Sequence, residues 1–507
     1  MKTGHLMLAG FALKLLPTPC RAEVPPNETK AGQRIGKWLS ILLFLSTLNP
    51  QLSTGFAQGS LTPPGAPAPT MKTLQQVEPR TPISSVPLTI TQPGSYYLTA
   101  NVTVSSGDAI TIVANGVTLD LNGFTISSTA PVANGSGILI SNFNSVLSDI
   151  IIYNGHISGS VTNDGFGTYG GSGFNSGIES SGYAPGNVRV TGISVSGCLQ
   201  SGIDLDPSGS TLVESCTVRN VGSFGIAAGT VKGSLALICG AEGIDGSHVS
   251  DCEGESSGSG DGIFAMTAQN CTGRTYGGYG NGLSAMTAQN CYGLSGGAGD
   301  GIHVTASANN CNGSASSANG ISVTDGGVLI GCTATSSEVG IKAGNGCTIK
   351  DCTALDNLTN GIIVGQGCRL VGCTASGTGY ATGGVGISAD IRTTIEDCTA
   401  NDNFRDGIQA QGDCTILNNH ASHNGIGLGG PAAGIHTAGS GSRIDGNQTR
   451  DNTGYGIKSD GGPNADMIVR NTSGNNGLGN FSPSTGNAFA PIQNPANLTN
   501  TLGNIVF

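Results

Sequence analysis

The hydrophobic pattern of this chain is short and recurrent. Residues 340–355 read Gly-Ile-Lys-Ala-Gly-Asn-Gly-Cys-Thr-Ile-Lys-Asp-Cys-Thr-Ala-Leu. Ile341, Cys347, Ile349 and Cys352 suit an inward face, while Lys342, Lys350 and Asp351 suit water or turns. The unit returns along the chain. Gly followed by Ile or Leu occurs with Gly at 137, 177, 202, 225, 243, 262, 282, 301, 320, 340, 361, 386, 407, 434 and 456. From Gly202 to Gly456 the mean interval is about 21 residues. The tract Ala-Met-Thr-Ala-Gln-Asn-Cys occurs at 265–271 and again at 285–291. A fixed period of this size marks a solenoid.

The kind of solenoid follows by elimination. Leucine-rich repeats need several Leu at fixed offsets, and helical repeats need 33 residues or more and helix formers. The calcium-binding nonapeptide pattern does not recur. Three short strands with Gly and Asn corners in each 21-residue unit make one coil of a parallel β-helix, because those residues accept left-handed backbone at low cost. The predicted class is all-β.

Composition narrows the picture. Gly is 84 of 507 residues and charged residues are 10%, against an ordinary ~25%. Helical bundles are excluded, and collagen is excluded because Gly does not recur at every third position. Arg34 and Lys37 precede an apolar run from Trp38 to Leu48, with Gly55-Phe56-Ala57 beyond it. This reads as an export signal in residues 1–57, cleaved near Ala57, with a run too short for a stable transmembrane anchor. A Pro-rich linker is expected over 58–82, a β-helix over 83–487 and a C-terminal cap over 488–507. The net charge is −11, becoming −15 when residues 1–57 are removed, so nucleic acid is excluded as a partner.

The Asn-Gly-Ile and Asp-Gly-Ile corners (319–321, 360–362, 261–263, 300–302, 406–408) and the Asp-Cys-Thr-Ala steps (351–354, 397–400) carry a resemblance. So do Pro-Gly-Ser-Tyr-Tyr-Leu at 93–98 and Val-Thr-Leu-Asp-Leu-Asn-Gly-Phe at 117–124. Over residues 83–507 the chain resembles the right-handed parallel β-helix proteins of the pectate-lyase-like superfamily, bacterial exported type. That implies a right-handed solenoid of about 17 coils and a secreted, periplasmic or cell-surface location. It implies little about activity, since this fold hosts lyases, hydrolases, epimerases, adhesins and inert spacers. The Asn-Thr-Asp, Asp-Asp, Gly-His-Gly and Arg-Ile-Lys set of polygalacturonases is absent, as is the Trp-Ile-Asp-His step of pectate lyases.

The cysteines form two series. Cys216, Cys252, Cys271, Cys291, Cys311, Cys332, Cys352, Cys373 and Cys398 are spaced to stack on successive coils, and Cys347, Cys368 and Cys414 lie 7 residues after their Gly. Cys198 and Cys239 lie off both series. Stacked cysteines have parallel Cβ vectors, which disfavours disulfides and favours small buried thiols. Disulfides remain the alternative for an exported chain. No Cys-x₂-Cys pair points to zinc. His420, after the long series, is expected to cap the stack or face solvent.

Candidate chemistry lies on the outward residues after each Gly-Ile. Asp204 and Asp245, two coils apart, are the weak candidates for a carboxylate pair, which an inverting hydrolase needs at about 6.5–9.5 Å. His303 and Lys342 are weak candidates for a lyase base. Phe264, Tyr276, Tyr279 and Tyr292 are weak candidates for sugar contact. No metal site or cofactor is expected, with Ca²⁺ entering only under a lyase. Two functions stand: a non-catalytic exported rod that binds polysaccharide or a cell-surface polymer, and a divergent polysaccharide lyase or hydrolase working on the outer face.

Overall fold

Alternation in each short run turns one residue in two toward a common interior, and the corners then close the coil. The computed structural model describes residues 77–507, apart from 144, 166, 381–382, 428–431 and 463. The expected export segment and the linker up to residue 76 lie outside the described residues. The described elements are strands, stacked as a parallel β-helix. Ser160–Asn163 and Tyr169–Ser172 make an antiparallel excursion.

Each regular coil contributes to three sheets. Val339–Ala343, Thr348–Lys350 and Thr353–Leu355 supply the first, second and third sheets of one coil. Each pairs in parallel with its equivalent in the next coil, as Ile341 with Ile362, Ile349 with Leu370 and Ala354 with Ala375. The solenoid has about 19 turns of about 21 residues, more than the 17 expected. The early turns were undercounted because strands such as Leu88–Ile90 and Ile110–Ile112 stack without a Gly-Ile step. At roughly 4.8 Å per strand spacing, the stack is on the order of 90 Å long.

Ile341, Cys347, Ile349 and Cys352 are buried, and Lys342, Lys350 and Asp351 are exposed. The long cysteine series is one interior column at the corner between the second and third sheets. Ser234 fills its gap, accepting from the Cys216 amide and donating its own amide to Cys252 Sγ. The residue before each member has positive φ, among them Asp251, Asn270, Asn290, Asp351 and Asp397. This left-handed position explains the Asn and Asp before Cys. Beyond Cys398 the column continues as Asn419, Asn447, Asn471 and Asn504, each amide oxygen accepting the backbone N–H of the preceding member. His420 points outward and meets Gln448 Oε1 at 3.2 Å. Cys198 and Cys239 share a separate column, each in register with Val221.

The cross-section is not uniform. At one interior position of the third sheet Ala334, Ala354, Ala375 and Ala400 stack, but four earlier coils place Gly254, Gly273, Gly293 and Gly313 there. A Cβ on Gly273 would sit 2.1 Å from the Gly282 carbonyl oxygen, so only Gly fits. The facing second-sheet position is Ala268, Ala288 and Ala308 in these coils, against Ile349 and Leu370 later. Smaller residues on both sides give the solenoid a waist.

All fourteen described cysteines are buried and unpaired. Burial pushes the Cys198 thiol up to about 12. These fourteen thiols are therefore expected to resist a thiol reagent at neutral pH, and most of them to titrate after denaturation without reductant. A denatured count below half of the cysteines would instead mean disulfides.

Candidate functional site

The outward residue after each Gly-Ile forms one file along the first sheet. Its register runs Glu179, Asp204, Ala227, Asp245, Phe264, Ser284, His303, Ser322, Lys342. Parallel pairing without a slip in this stretch keeps the side chains in line.

The upper part is acidic. Asp204 and Asp245 flank Ala227, two strand spacings or roughly 10 Å apart at Cα. Burial raises the Asp204 carboxyl above its ordinary range, and Glu179 adds to this. Burial, with Glu242, Asp204 and Asp206 close by, lifts Asp245 to about 6. One carboxyl is thus poised to hold a proton near neutrality beside another, an arrangement suited to acid catalysis at a glycosidic oxygen.

The lower part is bonded to itself. Ser322 Oγ donates to Asp300 Oδ2 and lies 2.7 Å from His303 Nδ1. Asp300 also accepts from the Asn319 backbone N–H and side-chain amide, at 3.0 and 2.8 Å. Burial opposes the charge on Asp300, yet the bonds from His303, Ser322 and Asn319 outweigh it and hold the carboxyl low. Because the Ser322 proton is committed to Asp300, His303 Nδ1 donates to Ser322. Neutral His303 then keeps its lone pair on Nε2. Lys342 is exposed one rung beyond Ser322.

The four aromatics do not share this face. Phe264 stands in the file and is half exposed, whereas Tyr292 belongs to the third sheet, between Thr272 and Asn312. Tyr276 and Tyr279 lie in the turn that leads from the third sheet to Leu283, and both are exposed.

The Asp of each Asp-Gly-Ile corner binds the following coil. Asp261 accepts from the Asn281 backbone N–H at 2.6 Å, and Asp406 from that of Ala433 at 2.6 Å. Asp406 also holds a group that sequence reasoning passed over. His436 Nδ1 lies 3.0 Å from Asp406 Oδ2, and Nε2 lies 2.9 Å from Asp460 Oδ2. Lys458 pairs with Asp460 at 2.8 Å. Burial disfavours the imidazolium, but the two carboxylates prevail and raise its pKa. With both nitrogens engaged, His436 is a bridge between rungs. The signal for it was present, since Gln409, His436 and Lys458 continue the outward file. Among the described residues, no group of three or more His, Cys, Asp or Glu side chains is arranged to hold a metal ion.

Residues 299–478 match the family model of the right handed beta helix region. No curated protein matches the sequence. Among solved structures the chain is similar to the mannuronan C-5 epimerase AlgE4 A-module of Azotobacter vinelandii, with 11% identity, 76% of this chain and 87% of that chain covered, and a TM-score of 0.20. It is similar to the periplasmic alginate epimerase AlgG, with 9% identity, 71% and 79% coverage and a TM-score of 0.27. It is also similar to pectate lyase Pel9A, with 13% identity, 73% and 80% coverage and a TM-score of 0.20.

The acidic part of the file makes a measurable prediction. A folded pKa raised to about 6 means that Asp245 contributes stability below the ordinary carboxylate value, and that this is lost as pH rises through 6. A shift of this size in a fully buried group is worth about 3 kcal/mol. For the part-exposed Asp245, solvent screening reduces it to about 1 kcal/mol. Asp245→Asn should therefore melt later than the parent at pH 8 and at the same temperature at pH 3.5.

Proposed function

We propose that this right-handed parallel β-helix of pectate-lyase-like fold is an exported, non-catalytic rod that binds polysaccharide. The observation that carries the reading is the bonding of the corner carboxylates and of His436 on the first-sheet face. Asp261, Asp300 and Asp406 each accept a backbone N–H of the next coil, and His436 bridges two carboxylates. Groups tied this way hold coils together and are not free to transfer protons. What the outer surface offers is a long array of neutral hydrogen-bonding side chains at strand spacing, which suits a repeating polymer. The Arg34 to Ala57 pattern supports export. Among the described residues, no helix is long and apolar enough to cross a membrane.

A second reading rests on Asp204 and Asp245. With Asp245 as proton donor and Asp204 as base for water, their roughly 10 Å Cα separation is tolerable for an inverting hydrolase. One experiment separates the two. The full chain is incubated with galactomannan, polygalacturonate and alginate, and polymer length and protein retention are both measured. Retention without shortening is expected. Shortening that disappears in Asp245→Asn would establish the hydrolase instead.

A further inference from the structure

At the waist the outer surface also changes. Ile226–Lys232, Ile244–Ser250, Ile263–Gln269, Leu283–Gln289 and Ile302–Asn309 each cross from the first sheet to the second as one unbroken strand. In the coil before them residues 205–209 interrupt the strand path, and in the coil after them residues 324–327 do so. The later coils keep this corner loop. Five successive coils without it leave a trough on the second sheet, with Pro207 toward one end.

The trough measures about 510 Å³. Its floor is Thr230, His248, Thr267, Thr287 and Ser307, in register on successive coils. Beside them run Ser250, Gln269, Gln289 and Asn309. A hollow of about 460 Å³, sharing Thr230 and His248, extends it to Arg189. Thr267 is bonded to His248 Nδ1 at 2.8 Å. The side chains of Thr287, Ser307, Gln269, Gln289 and Asn309 make no hydrogen bond within the chain. Two exposed apolar side chains, Met266 and Met286, stand along the corner.

We propose that this trough binds an extended neutral polysaccharide lying along the helix axis, about one sugar unit per coil. The assignment rests on the polymer-binding reading above and gives it a location away from the first-sheet file. Amides and hydroxyls supply donors and acceptors together, which matches a sugar hydroxyl. They repeat at roughly 4.8 Å, which matches a polymer and not a single small molecule. The apolar corner suits the C–H face of a sugar ring. Apart from His248, and Arg189 at the far end of the extending hollow, the trough carries no titratable side chain, and the net charge of −11 repels polyanions. A peptide strand has no purchase here, since the floor strands are already paired on both sides and present no free edge.

The test is affinity electrophoresis of the full chain in gels carrying galactomannan or polygalacturonate. The variants are Gln269→Ala with Gln289→Ala, Thr287→Arg, and Gln409→Ala as a first-sheet control. The substituted trough side chains lie on the outer face, so unchanged circular dichroism and melting will confirm folding. The parent should be retarded by galactomannan, both trough variants should lose affinity by about tenfold or more, and Gln409→Ala should keep it. Retardation that persists in both trough variants overturns the trough and leaves the polymer-binding reading standing. Retardation by polygalacturonate alone overturns the neutral-chain assignment. No retardation of the parent by either polymer overturns both.

Discussion

Stacking in register is the constraint on which this molecule depends. Each coil satisfies its backbone by bonding to the coils above and below, so a residue's position in its coil is also its position in a column. Columns that face inward must be filled by side chains that tolerate a copy of themselves one strand spacing away. Ile does this by packing, Cys by being small and apolar, and Asn by bonding its amide to the neighbouring rung. The change from Cys398 to Asn419 along a single column shows two chemistries meeting the same requirement.

The same constraint governs the surface. On the first sheet it brings Asp204 and Asp245 onto one line, and it sets each corner Asp against the next coil's N–H. The corner carboxylates Asp261, Asp300 and Asp406 strengthen the stack through these bonds. On the second sheet, small interior residues and missing corner loops leave a depression in which the side chains of Gln269, Gln289, Asn309, Thr287 and Ser307 stay unbonded. Unbonded polar side chains therefore collect where the coil is thinnest.

Much of this was legible in the sequence, because a solenoid turns interval into position. The Gly-Ile file, the cysteine stack and the inward or outward sense of 340–355 all follow from spacing and alternation. The Asn continuation was missed because it replaces a residue type that had been the marker of the column, and Ser234 was missed for the same reason. The trough had a signal too. Cys271 follows Gly262 by 9 residues, while Cys352 follows Gly340 by 12, and the difference is the corner loop. The aromatic grouping was not readable, since Phe264 and Tyr292 are close in sequence yet the corners send them to different sheets. Nor was the state of Asp245, which depends first on burial and then on the nearby charges of Glu242, Asp204 and Asp206.

The most direct test of the central claim, that the loop-free waist is where polymer is held, is oxidative footprinting of the methionines with and without galactomannan. Met266 and Met286 are exposed at the corner, each one residue before a floor threonine, while Met467 is exposed far along the stack. The account predicts that polymer slows sulfoxide formation at Met266 and Met286 and leaves Met467 unchanged. Equal oxidation of all three with polymer bound, or protection confined to Met467, would contradict it.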